Sequence, residues 1–142
     1  MDAVAKAQPN VKQVVPFFRV VSMEKSLPYY LDGLGFTMKH RWEPDGKIRW
    51  CWLELGGAAL MLQEWHPSRA PSEKVGVGVS LCFTCEDALA IYRELGARGL
   101  QPSEPEVGNH MWVTDVTDPD GYRLFFESPT DVPEETKLSE LK

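Results

Sequence analysis

Apolar positions recur two by two along most of this chain, and in two stretches they recur at three and four. In Val14-Val15-Pro16-Phe17-Phe18-Arg19-Val20-Val21 the strand period sets Pro16, Phe18 and Val20 on one side and Val15, Phe17 and Arg19 on the other. Residues 22–33 switch to helical spacing through Leu27, Tyr30 and Leu31 towards Leu34, with Ser22 as the N-cap. Pro28 conflicts with a helix interior, at a cost of about 3 kcal/mol, so the helix either begins near Ser26 or has a distorted first turn. Strands are predicted over 36–42, 47–55 and 58–64, with Asp45-Gly46 and Gly56-Gly57 as the turns between them. Proline and serine between 66 and 74 mark a linker.

The same order then returns: a strand over 77–85, a helix over 86–99 with Leu89, Tyr92 and Leu95 on its stripe, and two or three further strands. Strand, helix and three strands recur at an offset of about 65 residues, and neither half can bury its sheet alone. The expected class is α+β. Two βαβββ modules, 13–65 and 76–129, make one domain over 13–129, a cupped mixed sheet with helices on its outer face. Residues 1–12 are polar and unpatterned and read as a flexible start. Residues 130–142 form a charged tail, either a short surface helix or disordered.

Composition narrows the function. With 142 residues, 43% hydrophobic and 25% charged, a globular domain is expected. The net charge of −6 argues against nucleic acid, whose phosphates need a basic surface. No apolar run reaches the roughly 18 residues of a membrane span, and no signal peptide opens the sequence, so the expectation is a cytoplasmic protein with no membrane partner. Cys51, Cys82 and Cys85 read as small buried thiols; Cys82 and Cys85 share an alternating strand and project to opposite faces, which suits neither a redox pair nor a shared metal.

The run Asp118-Pro119-Asp120-Gly121 is a tight turn in which Pro119 presets φ, Gly121 relieves strain, and both aspartates are expected to bond local N–H groups. In the strand after it, Tyr122, Leu124 and Phe126 face one way and Arg123, Phe125 and Glu127 the other. Together with Ser26-Leu27-Pro28-Tyr29-Tyr30 and the helix exit Gly33-Leu34-Gly35-Phe36, this hairpin resembles the vicinal oxygen chelate superfamily over residues 14–129. That superfamily includes glyoxalase I, extradiol dioxygenases and bleomycin-resistance proteins.

In its metal-dependent members four inward positions carry the ligands, and the resemblance places them here at Val15, Met61, Ser80 and Phe125. A divalent ion of that kind takes imidazole or carboxylate, so neither a metal nor another cofactor is expected. Glu54, Glu64, Glu127, His66 and His110 fall at no familiar ligand spacing, and His40 reads as solvated surface.

Strand phase fills the cup instead with Phe17, Arg19, Trp50, Trp52, Glu54, Met61, Gln63, Cys82, Phe125 and Glu127. These are apolar walls with a few placed polar groups, as ligand pockets have, with Arg19 expected to pair with Glu54 or Glu127. The alternative is that the tryptophans plug the cup as core. Trp112 cannot be phased. The leading function is a metal-free binder of a small aromatic or cationic molecule, similar to bleomycin-resistance proteins. The alternative is a glyoxalase-type lyase, isomerase or transferase with Glu54 or Glu127 as general base and Arg19 stabilising an oxyanion; a third is an interaction protein without a ligand. The resemblance and the open sheet edges imply a homodimer.

Overall fold

Each expected strand forms, with some of the boundaries shifted. In the computed structural model, which describes residues 9–141, the first module runs β1 (Phe17–Val20), α1 (Met23–Pro28), a π-helical turn (Tyr29–Gly33), β2 (Thr37–Trp42), β3 (Trp50–Leu55) and β4 (Ala58–Glu64). The second runs β5 (Ser80–Thr84), α2 (Ala88–Ala97), β6 (Glu106–Gly108), β7 (Met111–Thr117) and β8 (Arg123–Pro129). Each makes a four-stranded mixed sheet, ordered β1-β4-β3-β2 and β5-β8-β7-β6. The first strand of each lies parallel to the last, and the other pairs are antiparallel. The class is α+β with two βαβββ modules, and the second half holds three strands after its helix. Residues 1–8 of the expected flexible start, and Lys142 of the tail, lie outside the described residues.

Alternation decides what is buried. Phe18 and Val20, Cys51 and Leu53, Leu60 and Leu62, and Leu124 and Phe126 are all buried, while their neighbours along each strand stay partly open. Each such side chain contributes roughly 1.5–3 kcal/mol by leaving water. These residues join one core with Tyr30, Phe36 and Leu95 that spans both modules. Trp112, which the sequence left unphased, belongs to the buried face, where it packs with Ala88 and Val107.

Several boundaries move. β3 starts at Trp50 because a 3₁₀ turn (Pro44–Gly46), with Asp45 at φ 56°, lengthens the connection from β2. β5 starts at Ser80 because Gly76 and Val79 close a turn first, at 2.9 Å. Pro28 distorts neither the start of the helix nor its first turn. Helix α1 begins at Met23, with the Ser22 hydroxyl accepting from Lys25 N, and the widening falls after the proline. There the Leu34 N–H reaches back to the Tyr29 carbonyl at 2.9 Å, a five-residue step. On α2 the deepest stripe is Ala88 and Leu95 with Ile91 packed on the core, one residue round from the expected Leu89 and Tyr92. The N-cap there is Asp87, whose Oδ1 accepts from Leu89 N and Ala90 N at 3.0 Å.

The Asp-Pro-Asp-Gly turn is a clamp between modules as well as a turn. Asp118 Oδ1 accepts from the N–H groups of Asp120 (2.8 Å) and Tyr122 (2.9 Å), while its Oδ2 accepts from the Tyr30 hydroxyl at 2.6 Å. Asp120 differs from expectation: it accepts not from a local group but from Val21 N, in the other module, at 3.1 Å. Tyr122 stacks on Phe18 with ring centroids 3.7 Å apart, and its hydroxyl donates to the Arg19 carbonyl. The chain after β8 docks on the edge strand β6: Val107 N donates to the Thr136 carbonyl, Leu138 N to Pro105, and Leu138 packs beside Val107.

Candidate functional site

Each sheet keeps one face free of the core. On the first sheet, register aligns Phe17, Met61, Trp52 and His40 in one row across β1, β4, β3 and β2. The next row is Arg19, Gln63, Trp50 and Trp42, and Glu54 stands in a third with Ala59 and Thr37. Seven of these side chains carry the site on this sheet that the sequence pointed to, and they do share a face. Phe17 and Trp42 are 42% and 57% exposed, too open to be core plugs.

On the second sheet the rows are Cys82, Phe125 and Asp115, then Thr84, Glu127 and Val113. Arg123 is ion-paired with Asp115 and lies over the Phe125 ring at 5.0 Å. Cys82 is exposed and Cys85 half-buried, so only Cys51 among the three thiols is fully buried; its burial pushes it up to about 11. Cys82 also borders an apolar cavity of about 610 Å³ between the modules, with Leu55, Ile91 and Leu95.

The structure does not bring the three candidate catalytic groups together. Among the described residues Arg19 pairs with neither Glu54 nor Glu127. Its guanidinium carbon instead lies 5.1 Å from the Trp65 ring centroid and 5.9 Å from that of Phe17. Glu54 Oε2 accepts from Trp52 Nε1 at 2.9 Å, and Glu127 stands on the other sheet.

Beyond the Arg19–Gln63–Trp50–Trp42 row the first sheet opens into a cavity of about 630 Å³, lined by Arg19, Trp42, Arg49, Gln63, Trp65 and Arg69, with His66 beside them. Glu64 also borders it, but its carboxylate is committed: it accepts from Met23 N at 2.8 Å and pairs with Arg49 and with Lys47. Burial would raise the Glu64 pKa, yet the Met23 N–H and the Lys47 and Arg49 charges outweigh it and hold the group below the ordinary carboxylate value. Trp42, Trp65, Arg49 and Arg69 were not among the expected site residues. Trp42 was within reach, since an alternating β2 paired with β3 puts it beside Trp50. Trp65 falls just past β4 at the end of the first module, and Arg69 in the stretch expected to be linker; at neither does strand period have a hold.

The four positions that hold metal in some relatives do not fit one here. Met61 and Phe125 stand on the faces of their sheets that are free of the core, Ser80 opens β5 and Val15 precedes β1. Among them they offer a thioether and an alcohol. No group of three or more His, Cys, Asp or Glu side chains is placed to hold an ion among the described residues. No helix of the described residues is long and apolar enough to cross a membrane.

A family model described as Glyoxalase/Bleomycin resistance protein/Dioxygenase superfamily matches residues 11–126. No curated protein matches the chain. Among solved structures it is similar to TnmS3, an antibiotic binding protein from Streptomyces sp. CB03234, at 24% identity over 87% of this chain and 100% of that one, with a TM-score of 0.66. It is also similar to TioX from Micromonospora sp. ML1 (17% identity, 86% and 99% covered, TM-score 0.64). A lactoylglutathione lyase from Agrobacterium tumefaciens aligns comparably (16% identity, 85% and 96% covered, TM-score 0.65). At such identities the likeness to each is one of fold. The family match spans both modules and the signature hairpin, and the chain belongs to the Glyoxalase/Bleomycin resistance protein/Dioxygenase superfamily.

Proposed function

We propose that this protein binds a planar aromatic small molecule on the open face of its first sheet, holding it by affinity and without chemistry. The observation that carries this is the double row Phe17–Met61–Trp52–His40 and Arg19–Gln63–Trp50–Trp42, a continuous aromatic and thioether surface left out of the core. Flat indole faces stack rings at about 0.5–1.5 kcal/mol each beyond the area they bury. Glu54 and Gln63 supply the few polar groups that orient a ligand. The description of TnmS3 as an antibiotic binding protein is in keeping with binding as the task of such a face. The enzymatic alternative has less support, because Glu54, Glu127 and Arg19 form no shared constellation and the metal positions carry no suitable donors.

Trp52 sits in the centre of the platform, so Trp52→Ala is expected to weaken binding of 2-naphthamide about ten-fold, measured by titration calorimetry. The indole N–H signals of Trp50 and Trp52 should shift on binding in proton–nitrogen correlation spectra. Unchanged affinity in the variant, with those two signals still, would remove the platform from the site.

A further inference from the structure

We infer that the cavity at the Arg19 end of the platform is an anion site, which takes the carboxylate of an aromatic acid whose ring lies on the tryptophan face. This rests on the binding reading above and adds the charge of the ligand. The lining places three arginines, Arg19, Arg49 and Arg69, against one carboxylate, Glu64, in a protein whose net charge is −6. Glu64 does not cancel them all, because Arg49, Lys47 and the Met23 N–H already satisfy it. Arg19 and Arg69 have no acidic partner among the described residues.

Arg19 is also held in place. Its strand pairs in register with Gln63, and its guanidinium lies against the rings of Trp65 and Phe17, which orients the planar fork without using its N–H donors. An oriented guanidinium with free donors suits a carboxylate, which it can grip with two parallel bonds. Two further residues with free N–H groups line the cavity, Trp65 and His66. Trp65 Nε1 is buried and has no acceptor among the described residues. His66 Nδ1 accepts from Ser68 N at 3.2 Å, so Nε2 is the nitrogen left to carry the ring's proton when the ring is neutral. Apart from the Gln63 amide, which offers an acceptor as well as donors, the free side-chain groups named here are donors, while the rings of Trp42 and Trp65 continue the platform of Trp50 into the cavity.

Three probes of one shape decide the matter by titration calorimetry: 2-naphthoate, 2-naphthamide, and the cation 2-naphthylmethylammonium. The carboxylate should bind about ten-fold or more tighter than the amide, with the cation weakest. Arg19→Gln and Arg69→Gln should each reduce that preference, Arg69→Gln while leaving amide affinity near the wild-type value, and the Trp65 indole signal should move with naphthoate and not with the amide. Equal affinity for carboxylate and amide, a preference for the cation, or a carboxylate preference that survives both substitutions would overturn the anion site while leaving the platform intact. A carboxylate preference with Trp50 and Trp52 signals unmoved would do the reverse. Failure of all three probes to bind at millimolar concentration would overturn both.

Discussion

Asp118→Ala is expected to lower the free energy of unfolding by about 3 kcal/mol or more, because three buried donors lose their acceptor at once. The Tyr30 hydroxyl and the N–H groups of Asp120 and Tyr122 all converge on this one carboxylate, which is itself 2% exposed. Two of those bonds close the turn, and the third ties the π-helical segment of the first module to the second. Urea denaturation should show a lower midpoint at unchanged slope. Tyr30→Phe removes one donor along with its need, so about 1 kcal/mol is expected there. If Asp118→Ala costs no more than Tyr30→Phe, the two turn-closing bonds add nothing to the one that joins the modules.

The same clamp fixes the sign of a pH effect. Burial pushes Asp118 above the ordinary 3.8, against the pull of the Tyr30 hydroxyl and the two N–H groups, and burial does the same to Asp120. A carboxyl with a raised folded pKa keeps a proton that the unfolded chain has released. Its contribution is full below its ordinary value and is lost as pH rises through the raised one. Glu64 works in the opposite sense: its pKa is lowered, so its contribution is present above the ordinary 4.5 and is lost as pH falls. Asp118→Asn should therefore flatten the decline in stability on the alkaline side of about pH 4 and leave the loss on the acid side unchanged. A decline identical in the variant would mean that Asp118 is ionised at no cost in the folded protein.

What could be seen from sequence was what repeats within a strand. The burial of Phe18, Leu53, Leu62 and Leu124, and the openness of Phe17, Trp52, Met61 and Phe125, follow from a period of two. Where a side chain reaches across the fold, period says nothing. Asp120 was expected to serve its own turn, yet its partner is Val21 N, ninety-nine positions away. Arg19 was expected to seek a carboxylate, yet the stacking faces of Phe17 and Trp65 hold it, and Trp65 follows the strand where no phase applies. The chain after β8 looks like polar surface by composition. It pairs with β6 through backbone groups, which composition does not register.

Gly76→Ala is the second large effect, expected to cost about 2–4 kcal/mol. A Cβ at Gly76 would stand 2.3 Å from Tyr122 N and 2.6 Å from both the Gly121 carbonyl carbon and Tyr122 Cγ. Most of those atoms are backbone, and none is free to retreat. Gly76 N donates to the Asp120 carbonyl at 2.9 Å, Tyr122 N is bound to Asp118, and the Tyr122 ring is stacked on Phe18. The methyl group therefore pushes on the inter-module clamp itself. Gly57→Ala is the matched control: an added Cβ there meets nothing within 4 Å and Gly57 has no positive φ, so stability should hold or rise by a few tenths of a kcal/mol. Thermal denaturation of the two variants side by side separates a steric cost at the clamp from a general cost of losing glycine. Equal midpoints would show that the loop before β5 yields without strain and that the clamp tolerates displacement.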